Sequence, residues 1–168
     1  MSKRPFEEIV EQHGATVFRV ARAVVGPADA EDAWSETFLA AMRAYPALDE
    51  GANMEAWLVT IAHRKAIDLG RSQARRPASV GQPPDDRPAT DGLPGHAPDD
   101  ELWAAIRALP ARQRQTVAYH YLADLPYAEV AAIVGGTAEA ARRAAADGIR
   151  TLRRTYAPAS EPTKGRSR

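Results

Sequence analysis

The chain has no cysteine among its 168 residues, which excludes disulfide bonds, thiolate metal sites and a cysteine nucleophile. It also lacks any apolar run of about 18 residues of the kind that crosses a bilayer. We therefore expect a cytoplasmic protein without membrane insertion. The four histidines, His13, His63, His96 and His120, match no zinc-binding spacing. No phosphate-binding glycine loop and no Gly-x-Ser-x-Gly turn occurs, so the sequence predicts no catalytic residue, metal or cofactor and favours a protein that is not an enzyme.

A net charge of one sign is absent too, because 22 basic residues balance 22 acidic ones. The charges are nevertheless segregated along the chain. Residues 29–55 carry seven acids and one base, and residues 63–76 carry five bases and one acid. Residues 77–101 are acidic again, and residues 142–154 hold five arginines and one aspartate. This alternation predicts a protein that binds both DNA and a protein partner, although charged runs can also be ordinary solvated faces.

Proline and glycine divide the chain into parts. Residues 77–98 contain six of the 13 prolines and three glycines, and Val80 and Leu93 are their only large aliphatic residues. Such a segment cannot bury enough apolar surface to offset its ordering entropy, so a disordered, acidic, flexible linker is predicted. The basic tail 157–168 is predicted to be disordered as well. Two small lobes remain, at 4–76 and 99–156, and both show helical periodicity, so the predicted fold class is all-α.

The first lobe is predicted to hold three helices. The first ends at Gly26-Pro27, and the second begins near Asp29, whose carboxylate could cap it, and ends at Tyr45. The third runs from Asn53, a good N-cap, to about Arg75.

Two faces of these helices are candidate binding surfaces. In the second helix, a face opposite the apolar stripe carries Asp32, Ser35, Glu36 and Leu39. An apolar centre with an acidic rim is typical of a docking surface, although a single exposed leucine is common. In the third helix, Thr60, Arg64, Ile67, Arg71 and Arg75 fall on one face. Three arginines along one helix face predict contact with phosphates, and an ordinary solvated surface is the alternative interpretation.

The second lobe has the pattern of a helix-turn-helix. The helix that follows Leu109-Pro110 carries Val117, Tyr121 and Leu122 as its apolar residues. A later helix from Pro126 ends at the tight turn Gly135-Gly136, and Thr137 is placed to cap the last helix, which runs to about Tyr156. That last helix carries Arg142, Arg143, Arg150, Arg153 and Arg154, which favours a DNA-recognition helix.

Four segments in this order resemble the extracytoplasmic-function (ECF) group of the bacterial sigma-70 family. They are residues 29–39 (Asp-Ala-Glu-Asp-Ala-Trp-Ser-Glu-Thr-Phe-Leu), 56–68 (Ala-Trp-Leu-Val-Thr-Ile-Ala-His-Arg-Lys-Ala-Ile-Asp), 109–114 (Leu-Pro-Ala-Arg-Gln-Arg) and 125–135 (Leu-Pro-Tyr-Ala-Glu-Val-Ala-Ala-Ile-Val-Gly). The resemblance implies a region 2-like lobe at 4–76 and a region 4-like helix-turn-helix at 99–156. It also implies a sigma factor whose partners are core RNA polymerase, promoter DNA and an anti-sigma protein.

The resemblance assigns each candidate residue to one of three surfaces. The polymerase face is Asp32, Ser35, Glu36 and Leu39. The surface that would bind the minus-ten element of the promoter, which we call the minus-ten reader, comprises the loop 48–53 with Asn53, and also Thr60, His63, Arg64, Arg71 and Arg75. The surface that would bind the upstream, minus-thirty-five element of the promoter, which we call the minus-thirty-five reader, comprises Thr137, Glu139, Ala140, Arg142 and Arg143.

Several positions depart from the family's usual pattern. Ser35 stands where glutamine is common, and His63-Arg64-Lys65 replaces a common Arg-Asn-Leu. The recognition helix is rich in alanine, and Gly148 in its middle costs about 1 kcal/mol relative to alanine. These departures keep a second interpretation open, in which the chain is a stand-alone helix-turn-helix regulator or an inactive sigma-like interaction protein.

Overall fold

The structure, a computed structural model, describes residues 2–75 and 100–156, and every regular element in these ranges is helical. The helices are α1 (Phe6–Val25), α2 (Pro27–Ala44), α3 (Met54–Arg75), α4 (Asp100–Arg107), α5 (Ala111–Val117), α6 (Tyr127–Val134) and α7 (Ala138–Thr155). A 3₁₀ turn, Tyr45–Ala47, follows α2, and a π-helical turn, Ala118–Leu122, continues α5. The predicted all-α fold with two helical lobes is confirmed. The predicted linker 77–98 and tail 157–168 lie outside the described residues.

Two of the three predicted helix caps are confirmed. The side chain of Asn53 accepts a hydrogen bond from the backbone N–H of Ala56 at 3.1 Å, and that of Thr137 accepts one from Ala140 at 3.1 Å. The third prediction, that Asp29 caps α2, is wrong.

The second helix begins at Pro27, two residues before Asp29. The preceding Gly26 has a φ of 88°, which lets the chain turn sharply between α1 and α2. Proline then suits the first helical position, because its missing N–H would have no partner there in any case. The carboxylate of Asp29 instead accepts a hydrogen bond from Gln73 of α3 at 2.7 Å, and so links the two helices.

The helix-turn-helix depends on glycine at two places. Gly135 and Gly136 have φ values of 90° and 87°, so the tight turn between α6 and α7 requires residues without a side chain. Gly148 serves packing rather than turning. A Cβ atom at Gly148 would lie 2.8 Å from Val117 Cγ2 and 3.5 Å from the carbonyl oxygen of Gln113, both on α5. The glycine in α7 therefore allows the close approach of α5, which offsets its poor helix propensity.

The two lobes pack against each other over a surface that we call the seam. Apolar residues of α1 and α3 lie in one buried cluster with residues of the second lobe. The first lobe contributes Val20, Ala23, Val24, Ala56 and Val59, and the second lobe contributes Trp103, Ile106, Leu109 and Tyr119, among others. The sequence pattern predicts two separate units, but in the structure the lobes share one buried cluster, beside two further clusters that lie within the first lobe.

Polar groups are buried in the seam as well. His63 Nδ1 lies 2.7 Å from the hydroxyl oxygen of Tyr119. Arg22 is only 6% exposed, lies over the ring of Trp103 at 5.0 Å and donates to Asp100 at 3.2 Å. Its Nε and Nη1 atoms are buried without a hydrogen-bond partner among the described residues. The seam is therefore a costlier interface than a purely apolar core, because it buries a charge that is only partly paired.

We expect the substitution Gly148→Ala to lower the free energy of unfolding by about 1–3 kcal/mol, because the new methyl group would overpack the contact with Val117. Gly70→Ala is the matched control. Gly70 also lies inside a helix, α3, but nothing lies within 4 Å of a Cβ placed there. This control should gain up to about 1 kcal/mol from helix propensity. Urea unfolding followed by circular dichroism measures both effects, and a stabilised Gly148→Ala protein would contradict the packing role.

Candidate functional site

The outer face of α2 is solvent-exposed and mixes acidic with apolar side chains. Asp32, Ser35 and Glu36 are exposed, and Leu39 is 49% exposed. Met42, one turn further, is 50% exposed. Sequence reasoning missed Met42, although its i+3 spacing from Leu39 places it on the same face. The four predicted residues and Met42 thus form one continuous surface, which we call the α2 face.

A lysine of α3 reaches this face. Lys65 Nζ lies 3.5 Å from a carboxylate oxygen of Glu36, with the lysine side chain 30% exposed. The side chain of Lys65 is therefore partly buried while its charge reaches the surface, as long basic side chains often do. The α2 face therefore keeps a mainly acidic rim with one neutralised carboxylate.

The arginine face of α3 is open to solvent. Arg64, Arg71 and Arg75 are all exposed, and no ion pair joins them to another residue within 2–75 or 100–156. Their spacing of seven and four residues aligns them along one side of the helix. The structure thus brings together three of the predicted minus-ten residues as a row of available cations.

The other three predicted minus-ten residues are engaged inside the fold. Asn53 caps α3, and the hydroxyl of Thr60 donates to the carbonyl oxygen of Ala56 at 2.7 Å. His63 is buried at the seam against Tyr119. Burial lowers the pKa of His63 below its ordinary value of 6.5, and the neighbouring Arg64 cation acts in the same direction. His63 does not share the exposed surface of the arginine face in this arrangement.

The loop before α3 is held by a residue that sequence reasoning also missed. The ammonium group of Lys3 donates to the carbonyl oxygens of Tyr45 at 3.0 Å and Pro46 at 2.8 Å, and to that of Leu48. These carbonyl groups belong to the 3₁₀ turn that follows α2 and to the residue directly after it. No sequence pattern indicates the contact, because Lys3 is more than 40 residues away. The loop 48–53 therefore starts from a fixed point.

The first half of α7 presents a mixed surface. Thr137, Glu139, Arg142 and Arg143 are exposed, and Ala140 is partly buried. Ala141 is fully buried in the core cluster, so a small residue at this position lets α7 pack closely. Arg142 lies over the ring of Tyr127, with its guanidinium carbon 5.3 Å from the ring centre. The five predicted minus-thirty-five residues thus occupy one end of a single helix.

Two other kinds of functional feature are absent from residues 2–75 and 100–156. In these ranges no helix is long and apolar enough to cross a membrane, and no group of three His, Cys, Asp or Glu side chains could hold a metal ion.

Comparisons with known proteins agree with the two-lobe division. Residues 9–76 match the sequence profile of Sigma-70 region 2, and residues 99–152 match that of Sigma-70, region 4. The chain is 30% identical over 156 residues to the RNA polymerase sigma factor CarQ of Myxococcus xanthus, and the match covers 88% of this chain and 87% of CarQ. The chain belongs to the ECF group of the sigma-70 family.

Two other sigma factors extend the comparison. The ECF RNA polymerase sigma factor BldN of Streptomyces coelicolor is 32% identical over 156 residues, a match that covers 89% of this chain. The chain spans only 59% of the length of BldN. The sigma factor RpoE of Bartonella quintana, solved in complex with the anti-sigma factor NepR, has the same fold, with a TM-score of 0.67 at 19% identity. That match covers 89% of this chain and 95% of RpoE.

We expect the free energy of unfolding of this sigma-70 family member to fall as the pH drops through about 6.5. The unfolded His63 binds a proton near this pH, whereas the buried ring resists it, and burial lowers the pKa of His13 in the same way. Each histidine contributes a slope of at most about 1.4 kcal/mol per pH unit. Urea unfolding between pH 5.5 and 8 measures the slope.

The isosteric variant His63→Gln separates the two histidines in that experiment. It keeps a polar group beside Tyr119 but cannot titrate, so the pH slope should become shallower and leave mainly the contribution of His13. An equally steep slope in His63→Gln would mean that His63 does not stay neutral at the seam.

Proposed function

We propose that this chain is a sigma factor that binds core RNA polymerase, directs it to promoters and assists promoter melting. The observation that supports this most is the pairing of two unlike exposed surfaces on one small lobe. The α2 face offers an apolar centre with acids around it, and the arginine face of α3 offers cations that have no ion-pair partner among the described residues. The first suits a protein partner with basic residues, and the second suits a phosphate backbone.

No bond-making residue is required for this function. Melting a turn of duplex costs several kcal/mol, because stacking contributes about 1.4 kcal/mol per base step. Binding must offset that cost, in part by holding an unstacked base in a protein pocket. Arg64, Arg71 and Arg75 add favourable free energy by releasing counterions from phosphates. The polymerase then supplies the chemistry, and this chain supplies recognition.

This function requires the two lobes to separate. The two promoter elements lie some 20 base pairs apart, which is roughly 60–70 Å along the duplex. Lobes that share one core cannot contact both elements at once. The connecting residues 77–98 number 22, and covalent geometry allows up to about 3.3 Å per residue. Separation also breaks the contact between His63 and Tyr119, so the minus-ten reader becomes complete only in the open state.

An anti-sigma protein is the third proposed partner. RpoE was solved with such a protein bound, and a partner that favours the closed arrangement of this chain would keep His63 in the seam. Because polymerase binding requires the open state, a partner that binds the closed state more tightly opposes polymerase binding. The strength of this effect is set by the partner's preference for the closed state.

The alternative function is a stand-alone helix-turn-helix regulator or an inactive sigma-like interaction protein. The feature that favours it is the recognition helix, where alanines leave Arg142 and Arg143 as the main donors. Run-off transcription with purified core polymerase on a promoter library distinguishes the functions. A sigma factor yields discrete transcripts only when polymerase and this chain are both present. Tight promoter binding without polymerase, and no transcript with it, would favour the stand-alone regulator.

We expect Leu39→Arg and Met42→Arg each to abolish co-purification with core polymerase, because either places a cation in the apolar centre of the α2 face. Glu11→Arg is the control, since it introduces the same side chain, with an even larger change of charge, at an exposed position of α1. All three variants should keep wild-type helicity by circular dichroism. Retained polymerase binding by both Leu39→Arg and Met42→Arg would rule out this face as the docking surface.

We expect the double substitution Arg64→Ala and Arg71→Ala to weaken open-complex formation and to reduce the slope of log affinity against log salt by about two. Arg43→Ala, another exposed arginine but on α2, should leave the slope unchanged. Binding of holoenzyme to labelled promoter DNA across a salt series measures both. An unchanged slope in the double variant would show that these arginines do not contact phosphates.

A further inference from the structure

Four side chains at the entrance of the helix-turn-helix form a continuous stack, which we call the aromatic column. It comprises Tyr121, His120, Tyr127 and Arg142. The rings of His120 and Tyr127 are parallel within 15°, with centres 3.8 Å apart. Tyr121 meets His120 edge-on at 4.8 Å and 84°. The guanidinium of Arg142 lies 5.3 Å from the centre of the Tyr127 ring, so the column ends on the recognition helix.

The base of the column is fixed by the backbone. His120 Nδ1 lies 2.7 Å from the carbonyl oxygen of Leu125. A carbonyl oxygen only accepts, so Nδ1 must carry the hydrogen, and the ring orientation is set. The π-helical turn Ala118–Leu122 brings the histidine here, with Ala123 N–H donating to the carbonyl oxygen of Ala118 at 3.2 Å. Such wide turns are uncommon and occur frequently at functional sites.

The order of the stack constrains the arginine. His120 covers one face of the Tyr127 ring, so the guanidinium of Arg142 must occupy the other face. An arginine on an aromatic face is attracted by the ring and loses part of its conformational freedom before any ligand arrives. A planar guanidinium that is already oriented binds its target with a smaller entropic cost. Arg142 is exposed, so its donors remain available.

The neighbouring arginine provides an internal contrast. Arg143 is also exposed on α7, and no described aromatic ring lies under it. An unconstrained arginine suits a phosphate, which accepts hydrogen bonds from many directions. An oriented one suits the O6 and N7 atoms of guanine, which require a bidentate fork in a fixed plane.

We propose that Tyr127, supported by His120, is a positioning residue that orients Arg142 to read a guanine in the upstream promoter element. This inference rests on the proposed function, because it assigns α7 to the major groove of that element. It gives the alanine-rich helix a source of specificity that its own sequence does not indicate. Arg143 is then left to the phosphate backbone.

The test uses the full-length chain with core polymerase and an upstream element selected from a randomised library. The readout is the discrimination ratio, the affinity of holoenzyme for the selected element divided by that for the element with its guanine replaced. Arg142→Ala should lower this ratio about 5- to 100-fold. Tyr127→Leu should lose most of the same discrimination, and Tyr127→Phe, which keeps the ring, should retain it. The double variant of Tyr127→Leu with Arg142→Ala should be no worse than Arg142→Ala.

Two controls separate positioning from general damage to the lobe. Arg143→Ala should weaken both sequences equally, and its effect should add to that of Tyr127→Leu. Thermal unfolding checks that Tyr127→Leu remains folded. If Tyr127→Leu does not fold, His120→Ala provides the test, because it removes the support and leaves Tyr127 in place. This variant should give a smaller loss of discrimination.

The outcomes distinguish the two proposals. Tyr127→Leu and His120→Ala with unchanged discrimination, or with equal loss for both sequences, would overturn the positioning role and leave the sigma function intact. Wild-type holoenzyme that selects no element and yields no transcript would overturn the sigma function, and the positioning role with it.

Discussion

The seam between the lobes is the contact on which the rest of this structure depends. The first lobe has two buried clusters of its own, and the seam adds a third cluster to which both lobes contribute. The seam fixes α1 against α4 and α5, holds His63 under Tyr119 and covers Arg22 with Trp103. It also leaves a cleft of about 190 Å³, lined in part by Ile67, Arg107 and Arg114. This mixture of good apolar packing with unpaired donors and incomplete filling suits an interface that forms and opens.

Local signals predicted the fold well where the physics is local. Proline and glycine ended α1, Asn53 and Thr137 capped their helices, and the two glycines made the tight turn. Sequence reasoning failed where the number of residues per helical turn changed. It placed Tyr121 among the apolar residues, but the π-helical turn shifts the register, so Tyr119 is buried and Tyr121 is 55% exposed. No local pattern indicates the seam, because it pairs residues from helices far apart in the chain.

The candidate site divides in the same way. The 3.6-residue period predicted that Arg64, Arg71 and Arg75 share an exposed face, and they do. Family resemblance added His63, which directly precedes Arg64 in the motif but lies about 100° away around the helix. That angle turns its ring into the seam, and only a three-dimensional arrangement could reveal it. Met42 was within reach of the periodicity argument, whereas Lys3 and the aromatic column were not, because their partners are set by tertiary packing.

The apolar lining of the seam has a consequence for the life of the molecule. If the lobes separate and nothing covers the seam, Trp103, Ile106 and their neighbours are exposed to water, and such a surface attracts chaperones, proteases and unfolded chains. Re-formation of the seam between the lobes competes with capture and degradation of the open chain. Under the proposed function, the amount of this protein in a cell would follow the supply of free polymerase, because molecules without a polymerase to bind would be degraded.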